Sequence, residues 1–254
     1  MDALSRIDTE TETRAGRIKR LILDHPVASH PWFEHMRNGR VEHTPQQLLN
    51  LLLNYDAHAT LLRRLLLEAA TLMPEPAVGF ILENVRNEYG NGDYARAHQG
   101  QLLDIVSILE REFGLSREQE FRLTDGVRAY MEEVPGFYKP DPALHGDFAA
   151  IACISAGAVT ATEVLALEEF KVLQQAFRPF DLADHIWFDH VKIESEHAEE
   201  SLDLIRYFLA EDPDGTTFNL IELGVGGVLL SNTSLYEGFL EAVSVKPLCL
   251  KGES

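Results

Sequence analysis

His190, Glu194 and His197 stand at i, i+4 and i+7 within the run DHIWFDHVKIESEHAEE, residues 184–200. On a helix, at ~100° per residue, those offsets fall within about 60° of one another. Two imidazoles and a carboxylate then share one face, a donor mix that suits iron, manganese or zinc. Phe188, Val191, Ile193, Ala198, Leu202 and Ile205 supply apolar support for that helix, and no Gly or Pro interrupts it. The same run carries Glu196, Glu199 and Glu200, which read as solvent-facing, so the competing reading is an acidic face with two incidental histidines. One helix does not complete a metal site, and the remaining ligands must come from elsewhere in the chain.

Polar residues inside otherwise apolar helices are the candidates. Glu163 follows a long run of small and apolar residues and precedes Val164, Leu165 and Leu167. A carboxylate buried there is costly without a partner, and a bound cation removes that cost. His98 lies in NEYGNGDYARAHQGQLLDIV, just after a Gly-rich break, and Glu88 lies just before it. Ten residues along an unbroken helix point in different directions, but Gly90 and Gly92 can reset the chain so that both side chains face one cleft. Glu88, His98, Glu163, His190, Glu194 and His197 form a set that can hold two iron or manganese ions and leave positions open for dioxygen. Only Glu194 and His197 make a Glu-x-x-His pair among them, so the ferritin-like arrangement, which needs two, does not apply. Glu68, Asp56 or His58 on an earlier helix are alternatives to Glu88. Arg63 and Arg64 are candidates to clamp a substrate carboxylate, since a guanidinium offers a planar fork of donors. Ser155, Gly157, Ala158 and Thr160 either leave substrate space near Glu163 or serve helix packing.

The elements that position these residues are helices. Thr44 followed by Pro45 opens a long helix running to about Thr71. Further helices are expected at about 14–30, 77–88, 94–113, 116–132, 147–177, 184–211 and 216–245, with one clear loop at VPGFYKPDPALHGD. Strand alternation is absent, which predicts an all-α bundle. The expected organisation is a flexible segment at 1–12, one helical domain at 13–245 and a tail at 246–254. At 254 residues and 45 % hydrophobic the chain can bury a sizeable core, and a net charge of −19 argues against a nucleic-acid or anionic-membrane binder. Two cysteines, Cys153 and Cys249, do not make a disulfide framework. The longest apolar run reads as the stretch near 220–230, which contains Glu222 and three glycines and is too short to span a bilayer. The N-terminus has no signal-peptide pattern, and a cytoplasmic location is expected.

HxxxExxH at His190, Glu194 and His197, the upstream Glu163 and the NEYGNGDYARAH segment together resemble the haem-oxygenase-like diiron oxidases and oxygenases. The resemblance covers about residues 15–210. It implies a compact bundle of about seven helices, without haem, binding two iron ions that cycle between Fe(II) and Fe(III), with dioxygen as co-substrate. Such enzymes act on aliphatic C–H, C–C or C–N bonds of amino acids or fatty acids, many in natural-product biosynthesis. The expected activity is oxidation of a small aliphatic amino acid or related metabolite by desaturation, oxidative cyclisation such as aza-ring formation, or fragmentation. An external electron donor and a homodimer are further expectations. The motif is usually HxxxDxxH in that family, so Glu194 departs from it by one methylene. Two other readings compete: a metal-independent enzyme of the same fold, thiaminase-like or of the quinone-cofactor-maturation kind, with Cys153 as nucleophile, and a non-catalytic helical interaction module.

Overall fold

The computed structural model describes residues 9–37 and 42–244, without the side chains of Glu120, His190 and residues 192–194. Twelve α-helices follow one another among these residues: α1 (Thr9–Leu23), α2 (Pro31–Arg37), α3 (Pro45–Leu72), α4 (Val78–Glu88), α5 (His98–Phe113), α6 (Arg117–Glu120), α7 (Asp125–Glu133), α8 (Pro135–Tyr138), α9 (Pro142–His145), α10 (Phe148–Phe177), α11 (His190–Leu209) and α12 (Thr216–Ser244). Among the described residues there is no strand, as the pattern predicts.

Local chemistry fixes most of the boundaries. Thr44 and Gln47 form a reciprocal capping box ahead of α3, with Pro45 at the first helical position. Asp147 caps α10 by accepting from the Ala150 amide at 2.9 Å. Asp212 accepts from the Thr217 and Phe218 amides at the start of α12, and Arg14 of α1 pairs with the same carboxylate at 3.0 Å. That pairing ties the first helix to the last. Gly114 closes α5 in the left-handed region at φ 66°.

Several expected boundaries move. Helix α1 begins at Thr9, so residues 9–12 are helical rather than part of a flexible segment, and it stops at Leu23 ahead of a 3-10 turn at Pro26–Ser29. The stretch expected as one helix at 116–132 divides into α6 and α7. Between them the backbone is extended and hydrogen-bonds to side chains of α3: Asn50 Oδ1 accepts from the Arg122 amide, while Asn54 accepts from the Thr124 amide and donates to the Arg122 carbonyl. The Pro-rich loop contains the short helices α8 and α9, each opened by a proline at its first turn.

Helix α10 is the axis of the molecule, packing chiefly against α12 and α11. It is also the centre of the segment 148–180, which is apolar and long enough to cross a membrane and outruns the stretch near 220–230 that the sequence reading took as the longest apolar run. Here 78 % of its most apolar window is buried by the surrounding helices. Two glycines bring α10 and α12 into backbone contact. A Cβ on Gly157 would strike the Ile221 carbonyl oxygen, and one on Gly224 would strike that of Ile154. Ser155 donates to the Tyr138 carbonyl and Thr160 to those of Ala156 and Ser201. The small residues of α10 therefore serve close packing, the second of the two readings their sequence offers. Beside them Trp32, fully buried, stacks on Tyr236 at 5.3 Å between centroids, within a continuous apolar cluster.

Candidate functional site

The Gly-rich break between α4 and α5 does what the spacing predicts. Gly90 (φ +67°), Asn91 (φ 54°) and Gly92 (φ +90°) all take left-handed conformations and fold the chain back on itself. A Cβ on Gly90 would enter the Ala97 backbone, so the close approach itself needs glycine. The result is that Glu88, the last residue of α4, meets His98, the first of α5: His98 Nδ1 lies 2.7 Å from Glu88 Oε1. Helix α5 begins at His98 rather than at Tyr94, because Tyr94–Arg96 form a separate 3-10 turn.

A second carboxylate–imidazole pair lies beside the first. Glu163 of α10 is buried, as is His197 of α11, and His197 Nδ1 sits 3.8 Å from Glu163 Oε2. Asn87, next to Glu88 on α4, lies 3.2 Å from His197 Nε2, which leaves Nδ1 directed toward the carboxylate. The His98 and His197 rings are 6.3 Å apart, centroid to centroid, and nearly parallel at 28°. Four predicted ligands from α4, α5, α10 and α11 thus come together. The side chains of His190 and Glu194 lie outside the described residues; their backbone belongs to the first turns of α11.

Burial would push the Glu88 carboxyl up, but His98, through charge and hydrogen bond, together with Arg63 and His197, holds it down at about 2. It is an anion at neutral pH. Glu68 instead pairs with Lys139 at 3.3 Å, and Asp56 accepts from Gln99 at 3.3 Å, so neither replaces Glu88 beside His98.

These groups open on a cavity of about 70 Å³, lined at this end by Glu88, His98, Glu163 and Arg63 and along its length by Leu62, Ala166 and Leu102. Arg63 is buried and donates to Thr60 at 2.8 Å. Arg64, its neighbour, is exposed and lines no part of the cavity, which corrects its candidacy as a substrate clamp. The rest of the cavity lining is more polar than the sequence suggests. Glu169, Asn232, His58 and Tyr130 all line it, and all are buried. Glu169 accepts from the Tyr236 hydroxyl at 2.6 Å. In the sequence, Glu169 follows Glu168 and reads as part of a solvated acidic face. The signal that separates them is the apolar stripe Ala166, Phe170, Leu173 on the same side of α10 as Glu169. Cys153 is buried away from this cavity, and burial pushes its thiol up to about 12, which removes the reading of it as a nucleophile.

The donor set fits iron: two carboxylates and two imidazoles, hard and borderline ligands buried together with one carboxylate held ionised. Among the described residues no three His, Cys, Asp or Glu close on a single point, so the four are arranged as two neighbouring pairs.

The all-α bundle is the haem-oxygenase-like fold. The chain belongs to a family described as iron-containing redox enzymes, which matches residues 56–218, well over half of its length. A crystal structure of a CADD-like protein of unknown function from Nostoc punctiforme, at 2.00 Å resolution, superposes with a TM-score of 0.64 at 13 % identity, covering 93 % of this chain and 100 % of that one. A second structure under the same description, at 1.35 Å, gives a TM-score of 0.61 at 14 % identity, covering 93 % and 97 %. At such identities the likeness shows the fold. No curated protein matches the sequence.

Proposed function

We propose that this chain is a dioxygen-dependent non-haem diiron oxidase acting on a small aliphatic amino acid or related metabolite. The observation that carries the reading is the pair of carboxylate–imidazole contacts, Glu88–His98 and Glu163–His197, beside one cavity. Glu88, His98, Glu163 and His197 would hold the metal, and the spacing of His190 and Glu194 offers two more ligands from α11. When bound, a pair of irons supplies the reduction of dioxygen and the oxidation of an aliphatic C–H, C–C or C–N bond, with an external donor providing any further electrons.

The protein's own residues prepare that chemistry. Asn87 orients the His197 ring, and the Gly90 turn fixes Glu88 against His98. Arg63, buried and lining the same cavity as Glu88 and Glu163, would hold a substrate carboxylate. Leu62, Leu66, Leu102 and Ala166 add apolar lining to the cavity, which limits bulk water around the reacting bond. Tyr138, fully buried, donates to Thr162 at 2.6 Å and braces α10 one residue before Glu163. The test is anaerobic Fe(II) loading followed by oxygen uptake with a panel of amino acids. Iron-dependent uptake with at least one of them supports the reading. Negligible iron binding, with no uptake for any, removes it.

A further inference from the structure

The cavity also carries buried polar groups that the redox chemistry does not use. Asn232 Oδ1 and both ring nitrogens of His58 are buried without a hydrogen-bond partner, and both residues are at most 3 % exposed. They line the same cavity as the Glu169 carboxylate, which is 5 % exposed. A buried acceptor without a donor is costly, and the Asn232 amide oxygen and the one lone-pair nitrogen of a neutral His58 are two such acceptors around one space.

We propose that Glu169, Asn232 and His58 bind the ammonium group of an aliphatic amine substrate, whose carbon chain runs past Ala166 toward the Glu88–His98 and Glu163–His197 pairs. An ammonium offers three N–H donors and no acceptor. The cavity offers a carboxylate oxygen, an amide oxygen and the lone pair of a neutral imidazole. The imidazole is neutral because burial, then Arg63, lowers His58 to about 3. Burial raises Glu169 to about 7, opposed by the Tyr236 hydrogen bond, and among the described residues no cation pairs with it. The other titratable groups around it are the Tyr130 and Tyr236 hydroxyls, both driven well above 10 by burial and uncharged at neutral pH. A cation that enters therefore meets a carboxylate lacking its counter-charge. Glu163 and Glu169 are six residues apart on α10, about 9 Å along the axis. That spacing separates the bound nitrogen from the reacting carbon by an aliphatic segment, and with Arg63 at the metal end it defines a substrate with an amine remote from the reacting carbon.

This inference rests on the proposed function for the identity of the reacting end, but its test does not need the metal. Metal-free protein is titrated with n-hexylammonium, 1-hexanol and hexanoate at pH 8, following the fluorescence of Trp187, which lines the cavity. The ammonium is expected to bind at least tenfold tighter than the alcohol or the carboxylate, and to weaken as the pH falls from 8 to 6. Glu169→Gln should lose at least tenfold in ammonium affinity while its hexanol affinity stays the same, and Asn232→Leu should lose several-fold. Hexanoate binding as tightly as hexylammonium in the unsubstituted chain, or Glu169→Gln binding the ammonium undiminished, overturns the proposal whether or not either variant folds well. Iron loading is measured in parallel. Ammonium selectivity without iron binding sinks the diiron reading alone, and iron binding without ammonium selectivity sinks the amine site alone.

Discussion

Glutamine in place of Glu169 should make the ligand-free protein more stable above neutral pH and change it little in acid. The carboxyl stands at about 7 in the folded chain against 4.5 when unperturbed, a gap worth about 3 kcal/mol. The sign follows from proton counting. Between pH 4.5 and 7 the folded state holds a proton at Glu169 that the unfolded state has lost, so stability falls as pH rises through this window. Below 4.5 both states are protonated there and the residue contributes no pH dependence. Above 7 the folded chain carries a buried carboxylate with only the Tyr236 hydroxyl as partner. His58 at about 3 and His43 at about 4 act in the opposite direction, since each must give up its proton to be buried, and they add stability as pH rises toward 6.5. Both chains share those histidines, so the difference between variant and parent isolates Glu169. Urea unfolding at pH 5, 6, 7 and 8 measures it. The advantage of Glu169→Gln should grow with pH by about 3 kcal/mol overall. A difference that stays constant from pH 5 to 8 would falsify the assignment of Glu169 as a buried, uncompensated acid.

Gly90→Ala should cost about 1–3 kcal/mol, from a left-handed backbone and a Cβ driven into Ala97, and should weaken iron binding at least tenfold by parting Glu88 from His98; a melting curve and an iron titration check both. Asn87→Leu should leave the fold intact but lower iron affinity about 10–100-fold, the usual effect of removing a group that orients a ligand histidine, and an unchanged iron titration would count against that role. Trp32→Ala should cost about 3–5 kcal/mol in urea unfolding, because a fully buried ring stacked on Tyr236 is lost. Cys153→Ala should retain any iron-dependent oxygen uptake, whereas loss of uptake with iron still bound would return the thiol to consideration.

Much of this fold is legible in the sequence because its long helices carry their own punctuation. Thr44 with Pro45 and Asp147 mark where α3 and α10 begin, and the structure places both caps there. The meeting of Glu88 and His98 was legible for the same reason: two glycines in a short span allow a left-handed reversal that costs most other residue types strain. What escaped was decided between helices. Arg63 and Arg64 are equivalent as neighbours in sequence, and only the packing of α3 makes one line the cavity and the other face solvent. Glu168 and Glu169 present the same ambiguity. Glu168 pairs with Lys171 at 2.7 Å, whereas Glu169 is claimed by Tyr236, sixty-seven residues away on α12. Asn50 and Asn54 hold the extended segment between α6 and α7, a long-range arrangement with no local sequence signal.

The central claim is that acids and histidines from four helices bind iron as a pair. Metal content after anaerobic Fe(II) loading and desalting tests it most directly, with Glu163→Gln and His197→Ala alongside the unsubstituted chain. Two irons per chain are expected for the latter and clearly fewer for each variant, with helicity by circular dichroism retained in all three. Unsubstituted protein that retains no iron, or variants that retain as much as it does, would contradict the account.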